Sequence, residues 1–150
     1  MHLEDTNIDV ELTTTTRAAM HLYTYPNSEN QVLILDLLHR DKVLDASIEI
    51  ISDTEIQGFR FSEAWATDQR LFFSIKTSHP FKDMLQSPPK NGMPGARKCA
   101  LEFVNPNNEP VYISVGISAV DQSGAKQNRE VEIGSKTFET LKKQAAQSWE

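Results

Sequence analysis

The sequence predicts an all-β fold, an antiparallel β-sandwich that carries an amphipathic helix at its C-terminal end. Three observations predict it. Apolar residues recur at every second position through most of the chain, polar turn residues separate these stretches, and spacings of three and four appear only near the end.

The elements follow in order. In Ile8-Asp9-Val10-Glu11-Leu12-Thr13 the apolar residues share one face of a strand, and in the next strand Met20, Leu22 and Thr24 oppose His21, Tyr23 and Tyr25. These two read as neighbours. After the turn-forming Pro26-Asn27-Ser28-Glu29-Asn30, the nearly continuous apolar run from Gln31 to Leu38 reads as a central strand covered on both faces. Further strands are expected from Ala46 to Ile51, Glu55 to Phe61, Leu71 to Thr77, Arg97 to Val104 and Pro110 to Ser118. Turn chemistry such as Asn105-Pro106-Asn107-Asn108-Glu109-Pro110 separates them. The stretch from Gln86 to Gly95 holds three of the seven prolines and two of the six glycines and reads as a long loop. Near the end, Ser135 can cap a helix whose apolar stripe is Phe138, Leu141, Ala145 and Trp149. A shorter helical turn around Ser123 to Glu130 carries little signal.

Composition sets the bounds. A chain of 150 residues suits one domain with a hydrophobic core, so residues 1–150 are expected to form a single domain. A net charge of −6 excludes a nucleic-acid or anionic-membrane partner, because such binding needs clustered Lys and Arg. Lys126, Arg129, Lys142 and Lys143 are diluted by Glu130, Glu132 and Glu139 and read as solvated surface. The single cysteine, Cys99, lies in an apolar stretch and reads as a small buried hydrophobe. No apolar run follows Met1, and nowhere do about eighteen apolar residues follow one another, so neither a signal peptide nor a membrane span is expected.

Motifs that carry chemistry are missing from the sequence. There is no phosphate-cradling glycine loop, nucleotide fingerprint, paired-cysteine zinc site or His-Glu-x-x-His, and Gly116-Ile117-Ser118-Ala119-Val120 lacks the second glycine of a nucleophile elbow. His2, His21, His39 and His79 are scattered without ligand spacing, so no metal site wholly within the chain is expected. No pair among the 21 carboxylates stands out as an acid and base, and no catalytic residue is assigned.

Four residues remain as candidates for substrate binding or for an interface: Arg17, His21, Arg60 and Trp65. Arg17 and His21 share strand parity with Tyr23 and Tyr25, so one face could combine planar donors with rings suited to a pyranose. Satisfying buried groups between sheets is the other role open to them. Arg60 follows Gly58, which marks a bulge or a close backbone approach that would aim the guanidinium out of the ladder. Trp65, just past a strand end, can serve either as a lid on the core or as a sugar platform.

One ordered series of short motifs resembles a known family. It runs Val10-Glu11-Leu12-Thr13, Thr16-Arg17 to His21-x-Tyr23-x-x-Pro26, Leu35-Asp36-Leu37, Gly58-x-Arg60-x-Ser62, Trp65-Ala66-x-Asp68-Gln69, Ser78-x-Pro80-Phe81, Val115-Gly116-Ile117-Ser118 and Ala125-x-x-Asn128, and ends in the helix of Trp149. The chain thereby resembles the later part of the N-terminal, supersandwich-like domain of glycoside hydrolase family 92, the calcium-dependent exo-α-mannosidases. The resemblance implies an enzyme that removes terminal α-linked mannose with inversion, of the α-1,2-mannosidase type, working on mannose-containing glycans in a secreted or periplasmic setting. It implies that the sandwich packs on a catalytic α/α-barrel that carries both carboxylates and most calcium ligands. This chain alone is then expected to lack activity and to bind no calcium by itself. The family often has glycine near Ala19, arginine near Leu22 and lysine near His79, so this sequence departs from the pattern there. The competing expectation is a stand-alone carbohydrate-binding sandwich module.

Overall fold

The computed structural model describes residues 1–26, 30–86 and 96–149. In chain order it holds β1 (His2–Leu3), β2 (Ile8–Thr14), β3 (Ala18–Thr24), β4 (Val32–Asp36), β5 (Lys42–Ile50), β6 (Glu55–Glu63), β7 (Gln69–Thr77), β8 (Phe81–Gln86), β9 (Lys98–Phe103), β10 (Val111–Ser118), α1 (Gln122–Glu132) and α2 (Phe138–Trp149). Seven strands form a large sheet in the order β1-β2-β3-β10-β7-β6-β5, and three form a small sheet in the order β4-β9-β8. All pairings are antiparallel. The fold is therefore the all-β sandwich that the alternation predicts, and β2 and β3 are neighbours as expected.

Alternation also decides what each face of the large sheet meets. The inner face, with Ile48, Ile56, Phe73, Ile75, Val111 and Ile113, packs against Leu101 and Phe103 of the small sheet to form the main core. The opposite face offers Ala18 and Met20 of β3, which pack with Ile133, Phe138 and Leu141 from the helical end of the chain. One strand thus feeds two cores from its two parities. Cys99 is buried in the main core at 2% exposure, as its apolar setting predicts.

Two glycines permit close approaches. A Cβ on Gly116 would lie 2.2 Å from the Ala125 carbonyl oxygen and 2.8 Å from the Arg129 nitrogen, so only glycine lets α1 lie directly on β10. A Cβ on Gly58 would meet the Ser47 carbonyl oxygen at 2.1 Å. Pairing on both sides of Gly58 is regular, and the bulge lies in β5 between Val43 and Asp45. The close approach is thus the part of the Gly58 expectation that holds.

Several expectations change. Within the run from Gln31 to Leu38, β4 is an edge strand, not a central one, because among the described residues it pairs only with β9 and its Ile34 is 72% exposed. Leu33 and Leu35 face the core, so a continuous apolar run here marks one buried face plus exposed apolar residues on the other. The weak helical signal near Ser123 is a full helix of 11 residues, α1, opened by Asp121, whose carboxylate accepts the Gly124 N–H at 2.6 Å. Arg129 is not solvated surface. It is buried under α1, where it donates to Ser74 Oγ at 3.3 Å and to Glu55 Oε1 at 2.8 Å, with Lys126 3.2 Å from the same oxygen. Strand β8 has no counterpart among the elements predicted from the sequence, and its last residue, Gln86, falls in the stretch read there as a loop. The expected loop falls from residue 87 onward outside the described residues, as do 27–29 of the preceding turn and the side chain of Trp149.

Gly116→Ala is expected to force α1 off β10 and to cost about 1–3 kcal/mol through overpacking. Urea unfolding of the variant beside the parent chain measures it.

Candidate functional site

The structure separates the four candidates rather than gathering them. Arg17 precedes β3 and does not share the face of His21. Its Nε donates to Glu132 Oε1 at 2.9 Å and its backbone N–H to Glu132 Oε2 at 2.9 Å, while Thr15 Oγ1 donates to that same oxygen at 2.6 Å. Glu132 is the last residue of α1, so this cluster clamps the helix end to the turn between β2 and β3. Burial raises the Glu132 pKa, but the hydrogen bonds from Thr15 and Arg17 and the guanidinium charge outweigh it and hold the carboxyl below its ordinary value.

His21 sits half-buried on the inner face of β3. Its Nδ1 lies 3.1 Å from the Tyr23 hydroxyl, and ring contacts run from His21 to Tyr23 at 6.0 Å, to Tyr25 at 6.3 Å and on to Phe103 at 6.3 Å. The aromatic row that sequence parity predicts is present, yet it leads into the core. Burial lowers the His21 pKa and keeps the imidazole neutral, and burial together with Tyr23 pushes Tyr25 up to about 12. The Tyr25 hydroxyl donates to the Val32 carbonyl of the small sheet at 3.2 Å.

Arg60 points from the large sheet to the segment that leaves β4. Its Nε donates to the Leu37 carbonyl at 2.9 Å, Nη1 to Ser62 Oγ at 2.9 Å and Nη2 to the His39 carbonyl at 3.2 Å, with Asp41 at 3.8 Å. A planar fork with several donors suits such a tie between carbonyls better than a lysine would. Arg60 therefore leaves the ladder as expected and then spends its donors inside the domain.

Trp65 behaves differently. It stands in the turn between β6 and β7, where the Ala64 N–H donates to the Ala66 carbonyl at 3.0 Å, and it is 97% exposed. It lids no core. On the helix-bearing face of β6 and β7, Phe59, Phe61 and Phe72 form a half-buried aromatic patch. Ring centroids are 4.6 Å apart for Phe59 and Phe61 and 5.5 Å for Phe61 and Phe72, with the Arg70 guanidinium 5.5 Å over Phe61. This patch was legible in principle: Phe59 and Phe61 share parity, and Phe72 faces Phe59 across the β6–β7 pair.

Among the described residues, no three His, Cys, Asp or Glu side chains are grouped to hold a metal ion, so calcium finds no fitting donor set here. No described helix is long and apolar enough to cross a membrane. Of the four candidates, two are internally braced arginines, one is a half-buried histidine and one is an exposed tryptophan.

A family model described as the glycosyl hydrolase family 92 N-terminal domain matches residues 1–118, and the chain belongs to that family. Solved structures share the fold. The family GH92 α-mannosidase BT3965 from Bacteroides thetaiotaomicron superposes with a TM-score of 0.82 at 22% identity over 99% of this chain and 22% of that one. The inverting mannosidase BT2199 from Bacteroides thetaiotaomicron VPI-5482 gives 0.76 at 20% identity over 95% of this chain and 20% of that one. The GH92 family glycosyl hydrolase ccman5 gives 0.79 at 19% identity over 95% of this chain and 20% of that one. The chain thus spans about a fifth of the length of these structures. No curated protein sequence matches it.

Two titrations follow from the geometry. The folded His21 value lies below its ordinary 6.5, so its share of stability is complete above that pH and is lost as pH falls through the folded value. Glu132 acts in the same direction further down, below its ordinary 4.5. Urea midpoints taken stepwise from neutral to acid pH are expected to fall in both windows, His21→Gln flattening the first and Glu132→Gln the second. At neutral pH, Glu132→Gln is expected to cost about 1–3 kcal/mol through its unmatched donors.

Proposed function

We propose that these residues form part of a larger family 92 enzyme that removes terminal α-linked mannose with inversion, of the α-1,2 type. The sandwich contributes packing and substrate-side surface, and the proton-transfer groups lie elsewhere in the enzyme. The observation that carries this reading is the family match over residues 1–118 in a chain about a fifth as long as its solved relatives. Inverting hydrolysis needs one carboxylic acid to protonate the departing oxygen and a second carboxylate, on the far side of a water, to activate it. We assign those two groups to a catalytic α/α-barrel elsewhere in the enzyme, which would also supply most of the calcium ligands.

The four candidates divide by role. Arg17 and Arg60 brace the domain, as their internal hydrogen bonds indicate. His21 is held neutral against Tyr23 at the rim of the inner face. Trp65, with the Phe59, Phe61 and Phe72 patch, supplies the surface that meets the barrel or the glycan. A stand-alone carbohydrate-binding module would use the same indole as its platform, so the isolated chain on a glycan array separates the two readings.

The purified chain is expected to leave an aryl α-mannoside with calcium unhydrolysed and to gain turnover once a family 92 barrel is supplied. Hydrolysis by the chain alone, or mannoside binding as tight without the barrel as with it, defeats the reading. Trp65→Ala is expected to change stability by no more than about 0.5 kcal/mol, since the ring buries nothing. Titration calorimetry is expected to show the variant binding the barrel about tenfold or more weakly, as loss of a central interface tryptophan does.

A further inference from the structure

Just past the end of β7 a hydroxyl, an imidazole and a carboxylate stand in a row. Ser78 Oγ lies 2.9 Å from His79 Nδ1, and His79 Nε2 lies 3.5 Å from Glu109 Oε2. Backbone contacts fix the first two members. The Tyr112 N–H donates to Ser78 Oγ at 2.9 Å, the Ser78 N–H donates to the Tyr112 carbonyl at 2.9 Å, and Thr77 Oγ1 donates to the His79 carbonyl at 2.8 Å. The imidazole is largely covered, with 16% of its side chain exposed, whereas Ser78 is open to solvent.

The carboxylate decides the tautomer. With Glu109 facing Nε2, the ring proton is assigned to that nitrogen, and Nδ1 keeps its lone pair. Nδ1 then accepts the Ser78 hydroxyl proton, while a lone pair of Oγ takes the Tyr112 N–H. Hydroxyl, base and orienting group in that order are the parts that make a serine a nucleophile, and they are recognised by geometry rather than by sequence position.

The row opens on a hollow. A concavity of about 270 Å³ between β7, β10 and the end of α1 is lined by Lys76, Ser78, Tyr112 and Ser114. Lys76 and Ser78 lie two residues apart and share the helix-bearing side with Ser74, which meets Arg129. Lys126 is committed to Glu55, but the Lys76 ammonium has no partner among the described residues. An uncommitted ammonium beside a nucleophile is placed to stabilise an oxyanion as it forms.

We infer that Ser78 is a nucleophile for acyl transfer, with His79 as its base and Glu109 as the group that orients the ring, and that the hollow takes an ester of a small carboxylic acid. Ser78 Oγ bonds to the carbonyl carbon of the ester as its proton passes to His79 Nδ1. The bond from that carbon to the leaving oxygen breaks, and Nδ1 gives the proton to the departing alcohol. Water attacks the resulting acyl-serine by the same route, its proton passing through Nδ1 to Ser78 Oγ as the carboxylic acid leaves. Ester and water become acid and alcohol, and no other reactant is needed. This activity uses none of the groups assigned to mannoside hydrolysis, so it stands apart from that proposal.

The purified chain with two reagents tests it: p-nitrophenyl acetate as the ester, and an alkyl fluorophosphonate, which loses fluoride as its phosphorus bonds to a nucleophilic serine oxygen. Mass spectrometry is expected to place the phosphonyl group on Ser78, and both labelling and ester cleavage are expected to vanish in Ser78→Ala. His79→Gln is expected to slow labelling by about a hundredfold or more, and Glu109→Ala by about tenfold or more. The Glu109 side chain is 62% exposed, so its variant keeps the fold and carries the comparison even where His79→Gln does not fold. No adduct on Ser78, an adduct elsewhere in its place, an unchanged rate in Glu109→Ala, or labelling undiminished in the chain unfolded by urea overturns the inference.

Discussion

The domain is organised by one constraint: a seven-stranded sheet whose two faces are both apolar must bury both. The inner face meets the small sheet through Ile56, Phe73, Val111 and Ile113, and the outer face meets the helices through Ala18 and Met20. Everything else in the fold serves that double burial. Gly116 brings α1 into contact with β10, and the buried Arg129 satisfies Ser74 and Glu55 beneath it, so a polar group lies in the helix-to-sheet layer without being orphaned. Arg17 and Glu132 close one end of that layer, while Arg60 ties the large sheet to the segment after β4.

This division of labour explains why arginines flanked by aromatics in sequence turn their donors inward. A guanidinium at a sheet margin is surrounded by backbone carbonyls and helix ends, and a local acceptor meets it before a ligand does. Arg60 reaches two carbonyls and a hydroxyl; Arg17 reaches a carboxylate fixed by the end of α1. Of the four candidates, the one whose side chain is left exposed is Trp65, in the turn between β6 and β7.

The sandwich, the β2–β3 pair and the terminal helix were legible because each rests on a period that side chains impose on the backbone. What the sequence hid had physical causes. The run at Gln31 to Leu38 has apolar residues on both parities, which fits a buried strand and an edge strand equally, and only the partner count of β4 separates them. Helix α1 buries Ala125 and Arg129, a small residue and a charged one, so its inward stripe carries little apolar signal. Of the candidate site, the residue types were visible but their partners were not. The Arg17 and Glu132 pair spans more than a hundred positions of sequence, and no local pattern announces a contact between the β2–β3 turn and the end of a late helix.

Cys99 lies at 2% exposure between the two layers and is the sole sulfhydryl of the chain. A thiol reagent can modify it only when the layers part, because the buried sulfur is out of a reagent's reach until then. The molecule therefore carries a built-in clock for separation of its sheets, and the pace of labelling reads how often the sandwich opens.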